Sequence, residues 1–424
     1  MVKTGYKQTE VGEIPESWTV RPFEQTLKIA NGQVNPREEL YRDLILVAPD
    51  HIEGGTGRLI KRSTARDQGA ISGKYLFKPG DIIYSKIRPY LKKIISVNFE
   101  GLCSADMYPL SPLGGVLGEY CFHLILGDRF TKFVESFSAR SGIPKINREE
   151  LSQFQCILPP PSEQKAIADA LSDVDGLIGS LETLIAKKGD IKTATMQQLL
   201  TGKKRLPGFG EGKGTKQTEL GELPEDWCLK TLGELFEITS SKRVFQHEWR
   251  TQGIPFYRAR ELAILGDTGS VENDLFIDLE LYEKHRRSYG VPQKFDLLIT
   301  GVGTLGKVYV VVDDHNFYFK DGNIIWLKSK GLINSEYLKQ LFLTSLIERQ
   351  INEFSAGSTV GTYTITGANK TQLPFPRLEE QEVISMMLSD MDFEIDELQN
   401  RLTKTKAIKQ GMMQELLTGR TRLV

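Results

Sequence analysis

"SEQKAIADALSDVD", residues 162–175, comes back as "EEQEVISMMLSDMD" at residues 379–392. The two stretches share a Glu-Gln pair near the start and a Leu-Ser-Asp-x-Asp close, 217 positions apart. Their surroundings recur too. Downstream, "MQQLLTGKKRL" at 196–206 returns as "MQELLTGRTRL" at 413–423. Upstream, "KQTEVGEIPESW" at 7–18 returns as "KQTELGELPEDW" at 216–227, offset by 209, with nine of twelve positions identical. Val11 to Leu220 and Ile14 to Leu223 are apolar swaps. The 424 residues are therefore two tandem copies of about 210 residues, the second with eight extra residues in its middle.

Between these shared segments the copies diverge. Residues 19–158 and 228–375 keep only echoes: "KPGDIIYS" (78–85) beside "QKFDLLIT" (293–300), and "FSARSG" (137–142) beside "FSAGST" (354–359). A common frame holding two different inserts suggests two variable readers on one scaffold.

The frame segments read as helices. Residues 162–201 follow three prolines, with Ser162 as N-cap and Glu163 and Asp169 at the positive helix end. Leu171, Val174, Ile178, Leu181 and Ile185 recur at spacings of three and four, an a/d stripe that Leu388, Met391, Ile395, Leu398 and Leu402 repeat. Gly202 and Gly419 are the expected stops. Helices of about 40 residues span roughly 60 Å, and each must bury its stripe. Both run from acidic to basic: Glu163, Asp169, Asp173 and Asp175 to Lys187, Lys188 and Lys192, and Glu379 through Glu397 to Arg401, Lys404, Lys406 and Lys409. Antiparallel pairing sets acid beside base.

The inserts alternate short β-rich runs with turn residues: "DLILVA" (43–48), "DIIYS" (81–85), "VYVVV" (308–312) and "NIIWL" (323–327). Residues 120–137 and 335–354 read as single helices. The fold class is α+β: two globular domains separated by two long antiparallel helices forming a coiled coil, a pseudo-twofold tandem repeat. The boundaries are 1–158 for the first domain, 159–206 for the first helix, 207–375 for the second domain and 376–424 for the second helix.

"LLITGVGTLGKVYVVV" (297–312) looks like a nucleotide loop, since Gly301, Gly303 and Gly306 fit G-x-G-x-x-G. Such loops hold phosphate at the N-terminus of a following helix, and here "KVYVVV" follows, which is a strand. Val308 also stands where a P-loop needs Ser or Thr. A turn offering backbone amides and Lys307 to a phosphate backbone is the better reading. No G-x-S-x-G or H-E-x-x-H occurs, and "PPPS" (159–162) lacks the aromatic of an amino-methyltransferase motif. Cys103, Cys121, Cys156 and Cys228 form no C-x-x-C pair, and the five histidines are scattered, so no metal site is expected.

Net charge is −1 and pI about 6.6, yet Arg58 to Lys93 holds ten basic residues against Asp67 and Asp81. No apolar run reaches membrane-span length, and "MVKTGYKQTE" has no apolar signal core, so a cytoplasmic protein without membrane contact is expected.

The doubled "TEVGEIPESW", "LPPPSEQKAIADALSDVD" and "MQQLLTG" segments resemble the conserved regions of the specificity (S) subunit of type I restriction–modification systems, the HsdS family, over essentially the whole chain. The second copy departs modestly, with "PRLEEQ" (376–381) for "PPPSEQ". The resemblance implies a non-catalytic chain whose two target recognition domains each read half of a bipartite site in double-stranded DNA. It implies two modification (methyltransferase) subunits that bring S-adenosylmethionine, so no cofactor belongs to this chain, and restriction/translocase subunits as further partners. Alternatives at this point are an S-like subunit of another restriction type, a coiled-coil adaptor without DNA specificity, and an enzyme using the glycine loop. The candidate DNA contacts are Lys86, Arg88, Tyr90, Lys92, Arg140, Lys145 and Asn147 in the first domain. In the second they are Arg258, Arg260, Thr304, Lys307, Ser358, Thr359 and Tyr363.

Overall fold

A computed structural model describes residues 3–138, 144–356 and 361–423. The chain divides into two compact units, residues 1–184 with 398–424, and residues 185–397. The division cuts both long helices, Pro161–Leu199 and Leu378–Leu416, so each unit is built on a stretch of each.

The inserts that barely align in sequence share a hairpin and the order of a four-stranded sheet, and differ in which strand is central in a three-stranded one. In the first unit the hairpin Tyr6–Thr9/Gly12–Pro15 precedes an antiparallel sheet ordered Leu27–Ile29, Met107–Pro112, Ile82–Ser85, Ile94–Ser96. A three-stranded sheet places Gly101–Cys103 between Ile45–Val47 and Tyr75–Phe77. The second unit repeats the plan. The hairpin Thr215–Thr218/Gly221–Pro224 precedes a sheet ordered Phe236–Thr239, Ile324–Ser329, Leu297–Thr300, Val308–Val310. A three-stranded sheet centres on Ile254–Tyr257. Ile82–Ser85 and Leu297–Thr300 are buried at every position, which is why they read as unbroken apolar runs rather than alternations.

The helices predicted over 120–137 and 335–354 are each two helices. Gly118–Leu126 and Asp128–Ser138 meet at Gly127, whose ψ of 156° is extended. Ser335–Phe342 and Ser345–Ser355 meet at Thr344, with ψ 150°. One extended residue re-aims the chain so that each short helix buries its own apolar face. Tyr120 and Tyr337 anchor the pairs alike, their hydroxyls donating to the carbonyls of Ile157 (2.9 Å) and Pro374 (3.2 Å).

The first long helix starts at Pro161, so Ser162 lies inside its first turn and is not the cap. Proline suits that position because its missing N–H would have no partner there. Within the stripe Leu171, Ile178 and Leu181 are buried and Val174 and Ile185 half-buried. The ion pairs fix the direction of packing. In the first unit Asp175 meets Lys409 (2.6 Å) and Glu182 meets Lys406 (2.8 Å). In the second, Lys188 meets Glu394 (2.6 Å) and Lys192 meets Asp392. Numbers rise on one helix as they fall on the other, which is the antiparallel pairing the charge pattern predicts. The more exposed of these pairs, Lys188–Glu394 and Glu182–Lys406, contribute at most about 1 kcal/mol each, so the apolar stripe carries most of the stability.

The Glu of each "EQ" motif closes a clasp. Glu163 is fully buried and accepts from Trp18 Nε1 (2.8 Å) and from Arg422 Nε and Nη2 (2.9 and 2.8 Å). Glu380 accepts from Trp227 Nε1 (3.1 Å) and Arg205 Nε and Nη2 (2.6 and 2.8 Å). Arg205 has a further carboxylate, Asp226, at 2.8 Å; Ser17 occupies that position in the first copy. Burial works against the Arg205 charge, but the two carboxylates outweigh it and its pKa is raised. Each neighbouring Gln ties its helix start to the domain above. Gln164 Oε1 accepts from the Leu117 amide (2.8 Å), and Gln381 Oε1 from the Asn334 amide (2.9 Å).

Candidate nucleic-acid interface

The glycine loop is the turn of a hairpin. Leu297–Thr300 pairs antiparallel with Val308–Val310, Gly303 and Gly306 have φ of 80° and 76°, and the Thr300 hydroxyl accepts from the Lys307 amide (3.0 Å). A strand, not a helix, leaves the loop, so no helix N-terminus is available to hold a pyrophosphate.

The same hairpin in the first unit, Ile82–Ser85 with Ile94–Ser96, carries the loop "KIRPYLK" (86–92). Both loops are pinned to the segment that precedes a short helix. In the first unit the Arg88 amide donates to Pro144 O (2.7 Å), the Ile146 amide to Lys86 O (2.9 Å), and Ile87 bridges Lys145. In the second, the Tyr363 amide donates to Gly301 O (2.9 Å) and Val302 bridges Thr362. The structure thus brings Lys86, Arg88, Tyr90, Lys145 and Asn147 to one loop pair. Arg88, Tyr90, Lys145 and Asn147 are exposed there. Asn147 also caps the helix Arg148–Ser152, accepting from the Glu150 amide (2.8 Å), so it has a structural task. Lys92 turns aside to Asp128 (2.8 Å), and this pairing holds the Asp128 carboxyl below its usual range.

Arg88 and Lys92 have φ of 46° and 47°; with Phe295 they are the non-glycine residues of positive φ among the described residues. Each such conformation costs about 1–3 kcal/mol, so the loop is held by its surroundings. Those surroundings are visible. Pro89 is buried, the Gly55 amide donates to Lys92 O (3.0 Å), the Lys93 ammonium donates to Ile52 O, and Gly54 presses so closely on Leu91 O that a Cβ there would lie 2.5 Å away.

The second-unit candidates gather less well. Thr304 is exposed at the loop tip. Lys307 pairs with Asp267 (3.0 Å) near the end of the helix Ala259–Thr268. Arg258 lies at the other end of that helix, engaged by Glu261 (2.8 Å) and Asp274 (3.0 Å), with the exposed Arg260 beside it. Ten helical residues put roughly 15 Å between the two groups. Tyr363 is 1% exposed, its hydroxyl on Thr371 (2.6 Å), so it supports the core and presents no surface to DNA. Arg140, Ser358 and Thr359 lie outside the described residues.

Two sets of residues escaped the sequence reading. Arg148 lies over the rings of Tyr108 (4.9 Å) and Tyr75 (5.9 Å) and donates to Ala30 O (2.6 Å), fixing the loop pair to the sheet. The clasp residues Trp18, Glu163, Arg205, Trp227, Glu380 and Arg422 were visible as repeated letters, and their recurrence in both copies was the signal for a contact. Among the described residues no three His, Cys, Asp or Glu side chains gather as a metal set, and no helix is long and apolar enough to cross a membrane.

Residues 17–187 and 224–410 match the family model described as the type I restriction modification DNA specificity domain. The EcoDI type I restriction enzyme specificity subunit of Escherichia coli is 34% identical over 177 residues, 42% of this chain and 39% of that protein. The MjaVIII type I restriction enzyme specificity subunit of Methanocaldococcus jannaschii is 25% identical over 335 residues, 76% of this chain and 75% of that protein. In fold, the chain resembles the S subunit of a type I restriction–modification system from M. genitalium, with TM-score 0.57 at 16% identity, covering 94% of this chain and 96% of that one. It also resembles the HsdS subunit from Thermoanaerobacter tengcongensis, with TM-score 0.50 at 19% identity, covering 99% and 100%. The two matched segments span most of the chain and make it a member of the type I restriction–modification DNA specificity family, a non-catalytic DNA-recognition subunit.

Proposed function

We propose that each unit reads one half of a bipartite site in double-stranded DNA, and that the long helices set the number of unread base pairs between the halves. The observation that carries this is one loop pair present twice with different chemistry: Lys-Ile-Arg-Pro-Tyr-Leu-Lys at 86–92 and Gly-Val-Gly-Thr-Leu-Gly-Lys at 301–307. Equivalent scaffolds with unlike side chains suit two different half-sites, because phosphate contacts position a reader and base-edge contacts specify the sequence. The helices dock two modification subunits, which bring S-adenosylmethionine and take the target adenine out of the stack. Exposed apolar residues seven apart support docking by partner helices: Leu177 and Leu184 on the first helix, Met386 and Phe393 on the second. Restriction/translocase subunits complete the assembly, and the complex works in the cytoplasm. The test is to express the chain with its modification subunit and map methylated adenines across a genome. One bipartite motif with a fixed gap and one adenine per strand is expected. Methylation without a gap would leave a coiled-coil adaptor as the better reading.

A further inference from the structure

The first reading loop ends in an apolar point. Tyr90 is 50% exposed and Leu91 40%, and they are adjacent at the tip of the turn Pro89–Leu91. Exposed large side chains on a mobile loop would mean little, but this loop is fixed on every side. It is bridged to residues 144–146, braced by Gly54, and set by two left-handed residues, Arg88 and Lys92, that flank the tip. Lys86, Arg88 and Lys145 supply positive charge at the base of this loop. In the loop set beside it, 301–307, Leu305 and Gly306 stand where Tyr90 and Leu91 do; Leu305 packs against the core, Gly303 replaces the strained Arg88, and Lys307 stands opposite Lys92.

A braced apolar tip with cations at its base fits a polyanion with an apolar interior, which is a base-paired duplex. We propose that Tyr90 and Leu91 enter between two base pairs of the half-site read by the first unit, unstacking that step and bending the DNA, while the second unit reads its half-site without a wedge. This rests on the reading that each unit binds one half-site. Wedging side chains let a protein bend DNA, and the energy of deforming the step makes sequence matter at base pairs that no side chain touches. The left-handed residues give the loop its function here. They present the tip already formed, so that none of the binding energy goes into ordering it.

The test uses the full chain assembled with its modification subunit on duplexes carrying the site found by methylation mapping, labelled at both ends for energy transfer, at saturating protein. The wild-type complex shortens the end-to-end distance, and permanganate attacks thymines at one step of the first half-site. Combining Tyr90→Ala with Leu91→Ser restores the straight duplex and removes that reactivity, with about a tenfold loss of affinity. Tyr90→Phe keeps both signals, and Leu332→Ser, at an exposed apolar residue outside the candidate contacts, changes neither. The exposed double variant melts where the wild type does. A bend that survives in the double variant, or a wild-type complex on straight DNA, overturns the wedge. Methylation of both half-sites in that case leaves the half-site reading intact; loss of any motif in the wild type would instead sink that reading.

Discussion

Position 380 shows how much one carboxylate can hold. Glu380 is 2% exposed and the Arg205 side chain 15%, so removing the acid leaves a largely buried cation to Asp226 alone and takes the acceptor from Trp227 Nε1. Glu380→Ala is expected to cost about 3 kcal/mol, read by chemical denaturation. The Arg422 side chain is 36% exposed and pairs, among the described residues, with Glu163 alone, so Ser17→Asp, which copies Asp226, is expected to add up to about 1 kcal/mol. A second residue-scale difference lies at His123 and its counterpart Gln340. Burial, and then the charge of Lys409, pulls the His123 imidazole down to about 3. In the unfolded chain it takes a proton near 6.5, so the unfolded state binds more protons and stability falls as pH drops from 6.5 toward 3. His123 has Ser172 beside it (3.4 Å), whereas Gln340, which does not titrate, donates to Asp392 (3.2 Å). His123→Gln should flatten the pH dependence of the melting temperature across that window, and an unchanged slope would count against the assignment.

At the scale of elements, the helix ends carry the next expectation. Gly202 (φ 70°) and Gly419 (φ 73°) follow the long helices, and a Cβ on either would lie 2.5 Å from Pro224 Cδ or Pro15 Cδ. Gly419→Ala therefore combines a left-handed backbone with a collision and should cost about 2 kcal/mol, seen as a lower melting temperature. Both stops were legible, because glycine after an a/d stripe has a local cause. So were the strand after the glycine loop, from its unbroken valines, and the antiparallel helix pairing, from the acidic-to-basic gradient. The breaks at Gly127 and Thr344 were not legible, since the apolar periodicity runs through them and the re-aiming is decided by the core each half meets. The clasps were hidden for another reason: Trp18 and Glu163 are 145 positions apart, and Arg422 and Glu163 are 259 apart. Of the candidate contacts, those on the first loop pair lie together because cations cluster there in sequence. Tyr363 misled because an aromatic beside polar residues looks the same whether its ring faces water or core.

At the scale of the molecule, the helices are expected to act as a measure. Inserting a helical turn near residue 190 should change the number of unread base pairs and leave both half-site sequences as they were. Methylation mapping of the variant checks this, and retention of the original gap would count against it. The clasps belong to this scale as well. Arg205, at the end of the first copy, closes on Trp227 and Glu380 of the second; Arg422, at the end of the second, closes on Trp18 and Glu163 of the first. Neither copy holds the arginine that completes its own frame. Carrying both copies on one polypeptide therefore converts what would be an encounter between two molecules into closure within one, at an effective concentration set by the chain itself. Folding of the intact protein should accordingly be insensitive to dilution, whereas separated copies would find each other only as fast as their concentration allows.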